Sequence, residues 1–471
     1  MMKILTQAVS VALALSFAGA AFAGPQAALP KDLPAYGADE AIPQLNIAKK
    51  TLDNGLEVWV LPRDGIPRVD MTLALKDAGF AADGVGANGF ATVLAGMLTE
   101  GTAKRDSKGI AEAAQGLGGS VGAGAANDGI TLYANALASN SDAIAALMAE
   151  VARSPSFPED EVNLAKANAL QALKVSEAQP NSRATRALLE AVYGDHPYAR
   201  SMPTEASINS VTVAALQSEH ARRFRPDHGL LVITGKLTPE QGFALASKHF
   251  GDWKNVGDGV AKVAEAPMTM PVQKSILQRD GSVQSAILMG YPSINAASAE
   301  YVPMMLASTV LGGGFSSRVN QNLREAKGYT YGASANLGSF RYGGRVQAGA
   351  QVRNEVTGAS VKEFFNEFNR LANEPVPAQE LIDTKRYVAG GYLISNQMQA
   401  SVARLLSHYW LTGQSAEAFA DYVPQIRAVT ADQVQAMARK YWDPSKMSII
   451  VVGDSAAVGP QLKEFGDFVT K

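Results

Sequence analysis

The chain of 471 residues is predicted to be an α+β protein: two tandem homologous domains, each a mixed, mostly antiparallel sheet backed by helices. Three observations predict this. One long pattern occurs twice at a nearly constant offset. Within each copy, short alternating strands are interleaved with long helical runs. Hydrophobic residues make up 47% of the chain, enough for each copy to bury a core of its own.

The repeat has three separated landmarks. Pro158 and Pro377, each opening a helical run, are 219 positions apart. Thr212 and Thr430, each before a second helix, are 218 apart, and so are Gly235 and Gly453, each closing an apolar strand. A shared offset at three landmarks means duplication of a whole domain, with a period far too long for a solenoid. The boundaries that follow are 46–250 for the first domain and 272–471 for the second. Between them, residues 251–271 form a polar linker containing Gly257, Gly259 and Pro267.

Met1 to Ala23 reads as a cleavable leader. Lys3 supplies the charge, the stretch from Ile4 to Phe17 is mostly apolar, and Ala21-Phe22-Ala23 is an A-x-A cleavage signal. The apolar run is shorter than a membrane span requires. The mature chain is therefore expected to start at Gly24, with no span left after cleavage, in a bacterial periplasm. The absence of cysteine rules out disulfides and thiol chemistry. Residues 24–45, rich in Ala and Pro, form an extended lead-in.

Thr51 to Val60 reads as strand, Asn-Gly turn, strand, and Val69 to Leu75 alternates as a strand. Helices are expected over 89–98, 107–117, 141–153, 158–177 and 211–224, with strands over 130–137 and 230–234. Glycines 118, 119, 122 and 124 mark a turn into a strand, with small residues where a peptide could lie close to backbone. The second copy repeats the order. Strands are expected over 285–291, 331–336, 344–351 and 448–452, and helices over 301–311, 318–326, 361–374, 377–397, 400–411 and 430–441.

Basic and acidic residues number 42 and 44, which excludes the basic excess of a nucleic-acid binder. Gly312-Gly313-Gly314 is not followed by the Lys-Ser/Thr of a phosphate loop and is better explained as a tight turn between helices. The five histidines, at 196, 220, 228, 249 and 408, form no H-x-x-E-H, H-x-x-x-H or H-x-H pair and read as structural or surface residues.

The stretch from Gly89 to Thr102 resembles the zinc-binding helix of the pitrilysin/insulinase family, the inverzincins, whose signature is H-x-x-E-H. The frame of that helix, G-[LF]-A-H-x-L-E-H-M-L-x-x-G-T, is kept at Gly89, Phe90, Ala91, Leu94, Met97, Leu98, Gly101 and Thr102. The chemical positions differ. Thr92 and Gly96 stand where the two histidines would be, and Ala95 where the glutamate would be. The third ligand of the family, a glutamate further along, would fall near Gln171-Ala172, where the chain has no acid between Glu161 and Glu177. A catalytic zinc needs three protein ligands and an open position, so no metal is expected on this chain.

The stretch from Leu311 to Tyr331 is similar to the family's G-x-x-S-R-L-x-x-x-L-R-E-x-x-G-L-x-Y motif. There an arginine and a tyrosine seven positions later hold the substrate backbone and the developing oxyanion. Arg324 and Tyr331 have that spacing, and the expectation is that both point into one cavity. The resemblance implies that the two domains face each other across a cavity. It also implies a zinc-free subunit that lends Arg324 and Tyr331 in trans to a paralogous, zinc-bearing H-x-x-E-H partner acting on peptides. The alternative is a non-enzymatic scaffold or peptide-binding module of the same fold; a self-sufficient peptidase with another metal set is a third reading.

Overall fold

The computed structural model describes residues 45–471. The leader and residues 24–44 of the lead-in lie outside the described residues. The first half contains β1 (Ala48–Thr51), β2 (Glu57–Pro62), β3 (Arg68–Lys76), α1 (Phe90–Met97), α2 (Ser107–Gly116), β4 (Ser120–Ala125), β5 (Gly129–Leu137), α3 (Ser141–Arg153), α4 (Glu159–Ala178), α5 (Pro180–Tyr193), α6 (Glu205–Asn209), α7 (Val213–Arg223), β6 (Gly229–Gly235) and α8 (Pro239–Phe250). The second contains β7 (Lys274–Gln278), β8 (Gln284–Ser293), α9 (Tyr301–Gly312), α10 (Arg318–Asn320), a π-helical segment (Gln321–Ala326), β9 (Thr330–Phe340), β10 (Gly343–Arg353), α11 (Thr357–Asn373), α12 (Ala378–Ser395), α13 (Gln399–Leu411), α14 (Ala418–Ala428), α15 (Ala431–Tyr441), β11 (Ser448–Gly453), α16 (Ser455–Leu462) and β12 (Val469–Thr470).

Each half builds a six-stranded sheet. The orders are β1-β2-β6-β3-β5-β4 and β12-β7-β11-β8-β10-β9. Apart from the outermost strand beside β2 or β7, position matches position. The central strand runs parallel to β2 or β7 and antiparallel to β3 or β8. The α+β class with two like halves is thus as the sequence predicts. The repeat landmarks have local causes. Thr212 and Thr430 are the N-caps of α7 and α15, accepting from the amides of Ala215 and Gln433. Pro158 and Pro377 immediately precede α4 and α12. Every residue of β6 and β11 is buried, as expected where both sheet faces are covered.

What covers the second face was not legible in the sequence. The packing of α1, α3, α7 and α8 on the first sheet and of α9, α11 and α15 on the second makes one core inside each half. The opposite faces are covered by exchange: α5 of the first half lies on β8 and β11 of the second sheet, and α13 of the second half lies on β3 and β6 of the first. Leu188, Leu189 and Val192 of α5 join Ala286, Ile450 and Val452 in a third buried cluster. A side chain at Gly290 of β8 would approach Leu188 to 3.1 Å and the Val346 carbonyl to 2.7 Å, so glycine there lets the helix seat closely. At the ends of α13, Gln399 Nε2 donates to Asp70 (2.6 Å) and Trp410 Nε1 to Glu57 (3.0 Å). The sequence reading missed α5 and α8, although it found α13, the counterpart of α5.

A buried polar network completes the contact between halves. The β9–β10 turn meets the β4–β5 turn, where Asp128 accepts from the Tyr198 hydroxyl and from the Arg341 amide (3.0 Å). The Tyr342 amide donates to the Tyr198 hydroxyl (3.1 Å), and the Tyr342 hydroxyl donates to Asp77 (2.6 Å). Residues 251–273, which carry neither helix nor strand, are pinned here by the Ala266 amide donating to Tyr342 (2.6 Å).

Burial pushes the Asp128 carboxyl from 3.8 up to about 6, against the pull of its two donors, and pushes the Tyr198 phenol well above its ordinary value. A carboxyl raised in the folded state contributes stability that is complete below pH 4 and lost as pH rises through 6. Between pH 4 and 6.5 the wild type should therefore lose roughly 2–3 kcal/mol relative to Asp128→Asn. Paired denaturation curves across that window check this; parallel pH profiles would refute it.

Candidate functional site

The helix that carries the family frame is held by a buried ion pair. Gly89 precedes α1 in the left-handed region (φ 74°). Asp83, through both carboxylate oxygens, accepts from the Ala91 amide in the first turn (3.1 and 3.2 Å). Arg223, 2% exposed, pairs with Asp83 at 2.8 Å and with Glu219 at 2.7 Å. It also donates to the carbonyls of Ala78, Gly79 and Ala82 and lies 5.6 Å from the Phe90 ring centroid. Burial lifts the Asp83 carboxyl to about 6, opposed by Arg223 and the Ala91 amide.

On this helix Thr92 and Gly96 are exposed, four residues apart on one face, while Ala95 is 1% exposed and packs into the first core. A Cβ at Gly96 would meet nothing within 4 Å. Gln171 and Ala172 are exposed on α4, which packs beside α1. A hydroxyl, a methyl and a hydrogen are not a zinc donor set. Among the described residues no group of three or more His, Cys, Asp or Glu side chains lies close enough to hold a metal ion. The residues present do not fit the zinc that the family frame implies.

Arg324 and Tyr331 each sit on a local irregularity. Arg324 lies in the π-helical segment, where the Lys327 amide reaches back five residues to Asn322 (3.0 Å). Its guanidinium lies 4.5 Å from the centroid of Phe315, and its Nε lies 3.3 Å from Glu325. Phe315 is 56% exposed on the loop after Gly312. Gly312 bridges Ala335 of β9, and a Cβ there would come within 1.9 Å of the Ala335 nitrogen. Close approach to a strand, more than a tight turn, therefore requires this glycine. Buried Asn320 ties loop to strand, donating to the Phe315 carbonyl (2.7 Å) and accepting from the Ala333 amide (3.3 Å).

Tyr331 stands at a β-bulge. Ala333 pairs with Ala350 and Thr330 with Val352, so Tyr331 and Gly332 together face Gln351. Ala333 and Ala335 point into the second core, and regular alternation would send Tyr331 the same way. The bulge releases it, and the residue is 93% exposed. The Thr330 hydroxyl pins the bulge, donating to the Gln351 carbonyl (2.7 Å) and accepting from the Gly332 amide (3.1 Å).

Tyr331 lines a cleft of about 410 Å³ floored by β8, β9 and β10 and flanked by Asn181 and Thr185 of α5. Arg324 is not among its lining residues, so in the isolated chain the two are not brought into one cavity. Sequence reasoning missed Phe315, an exposed aromatic beside three glycines, and the glutamines of the cleft. The signal for the latter was the alternation of Gln347 and Gln351 with the core residues Val346, Ala348, Ala350 and Val352.

Four histidines hold structural contacts. His196 and His220 bond the carbonyls of Ala264 and Ala152, each at 2.9 Å; His249 contacts Asp142 at 2.9 Å and His228 contacts Asp77 at 3.6 Å. Burial pulls His220 down to about 4 and lowers His408 as well.

Two family models match the chain: insulinase (peptidase family M16) over residues 68–204, and the peptidase M16 inactive domain over residues 210–388. An uncharacterized zinc protease of Mycobacterium leprae is 25% identical over 410 residues, covering 84% of this chain and 89% of the relative. An uncharacterized zinc protease of Bacillus subtilis is 22% identical, covering 75% and 85%. Among solved structures, a peptidase M16 inactive domain from Pseudomonas fluorescens superposes with a TM-score of 0.81 at 26% identity, over 87% of this chain and 98% of that one. A protease from Helicobacter pylori superposes with a TM-score of 0.82 at 19% identity, over 87% and 99%.

Gly96 costs helix stability without serving packing. Gly96→Ala should stabilise the protein by about 0.5–1 kcal/mol in denaturant unfolding; a destabilised variant would show that the position is crowded.

Proposed function

We infer from its place in the insulinase family of peptidases, peptidase family M16, to which this chain belongs, that it works as a zinc-free subunit completing a partner's active site. The observation that carries this is a contrast. The zinc-helix positions offer no imidazole or carboxylate, while Arg324 and Tyr331 are presented to solvent from two irregularities of the backbone, a π-helical segment and a β-bulge. Such distortions are over-represented at functional sites.

The chemistry suits a contribution in trans. The Arg324 guanidinium offers a rigid fork of donors to a substrate carbonyl or carboxylate. The Tyr331 hydroxyl can donate to the oxyanion of a tetrahedral intermediate. The partner, a paralogue with intact H-x-x-E-H, supplies water activation at its metal; this chain binds and orients the peptide. The leader at residues 1–23 points to the periplasm as the place of action.

The second reading, a peptide-binding module or scaffold, is favoured by one observation: Arg324 does not line the cleft of Tyr331 in the isolated chain. Reconstitution with the H-x-x-E-H paralogue separates the two. Arg324→Ala and Tyr331→Phe should each lower turnover by about 10²- to 10³-fold, with co-elution of the pair unchanged. Wild-type turnover in both variants would leave the scaffold reading. Chelator-sensitive cleavage by the partner-free chain would overturn both.

A further inference from the structure

The cleft beside Tyr331 has a composition that the proposed role does not use. Its thirteen lining residues include no Asp, Glu, Lys, Arg or His. Two other clefts of similar size differ: one of about 450 Å³ carries Glu380 and Asp383, and one of about 510 Å³ carries Lys104, Arg105 and Asp252 among its walls. Here the polar lining is made of amides and hydroxyls, chiefly Asn181, Gln284, Ser334, Gln347 and Gln351.

Several of these groups have hydrogen-bonding capacity to spare. Gln351 Nε2 donates to Gln284 Oε1 at 2.8 Å, leaving Gln351 Oε1 and Gln284 Nε2 without a protein partner. Turning both amides over exchanges the atoms but still leaves one acceptor and one donor. Gln347 Oε1 accepts from Arg345 Nε at 3.1 Å, so its amide nitrogen is left as a donor. Gln347 and Gln351 lie four residues apart on β10 and share a face, as residues an even number apart do. They are spaced along the strand by about 13 Å, the reach of four residues of extended peptide.

We propose that this cleft is a specificity pocket for an uncharged, amide- or hydroxyl-bearing segment of an extended peptide substrate. This rests on the peptide-handling role argued above. A neutral amide entering the cleft exchanges hydrogen bonds with water for hydrogen bonds with the glutamines, with no net charge to desolvate. An ammonium gives up hydration and finds no opposite charge in the walls, and a carboxylate finds only the Arg345 guanidinium, which lies behind Gln347 and is already bonded to it. An apolar side chain leaves the amides unpaired, the situation in which a hydrogen-bonding site discriminates most. Gln347 and Gln351 are thus specificity-determining residues, and Tyr331 places the bound segment beside the reacting group.

The test needs neither partner nor turnover. The probes are dye-labelled, end-blocked alanine-rich hexapeptides whose two central residues are Gln, Glu, Lys or Leu, titrated against the full purified chain by fluorescence anisotropy. The Gln peptide should bind about fivefold or more tightly than the other three. Gln351→Glu and Gln347→Glu, on a partly solvated face, should each shift preference to the Lys peptide by about fivefold, with circular dichroism confirming that each is folded. Equal binding of all four peptides, no binding, or an unchanged ranking in the folded variants would overturn the proposal. None of these outcomes bears on the Arg324 and Tyr331 turnover test. Conversely, a failure there with the peptide ranking intact would remove the role in trans and keep the pocket.

Discussion

Each half lends one helix to the other's sheet, and the remaining packing follows from that exchange. Each sheet has two apolar faces, and its own half supplies helices for only one. The second face of the C-terminal sheet is closed by α5, and that of the N-terminal sheet by α13. Burial of apolar area is the dominant favourable term in folding, so neither half can complete its core alone. The cleft of Tyr331 follows from the same arrangement, since its side wall is α5 and its floor is β8, β9 and β10.

With the halves joined in this way, polar groups at their contact are costly to leave unpaired, about 1–3 kcal/mol for each that is buried. The Asp128, Tyr198, Tyr342 and Asp77 network meets that demand across two turns distant in sequence. The Arg223–Asp83 pair does the same at the start of α1, where a charged arginine 2% exposed is surrounded by two carboxylates and three carbonyls. These contacts hold α1 in place whether or not a metal is bound beside it.

That explains the division of residues along α1. The framing positions Phe90, Ala91, Leu94, Met97 and Leu98 are between 0% and 6% exposed, so the fold requires them whatever the helix does. Thr92 and Gly96 face solvent, where the fold is indifferent to side-chain type. Ala95 differs: it is buried, and a glutamate there would need a partner. Arg324 and Tyr331 are the reverse case. Neither is buried in a core, yet both occupy backbone irregularities that the surrounding hydrogen bonds of Asn320 and Thr330 maintain.

The two-half architecture, the order of most elements and the chemistry of the zinc-helix positions are legible in the residues alone. These rest on local physics: period-two and helical apolar patterns, threonine N-caps at 212 and 430, and the absence of any imidazole or carboxylate at residues 92, 95 and 96. Tertiary structure decided what the pattern could not encode. The apolar stripe of α5 does not say which sheet it will cover. An Arg and a Tyr seven positions apart do not reveal that a π turn stacks one on Phe315 while a bulge turns the other out of the core. Gln284, Gln347 and Gln351 come from two strands, and α5 supplies the facing wall. Only long-range pairing brings them together, because side-chain proximity across a sheet depends on register, which no local window contains.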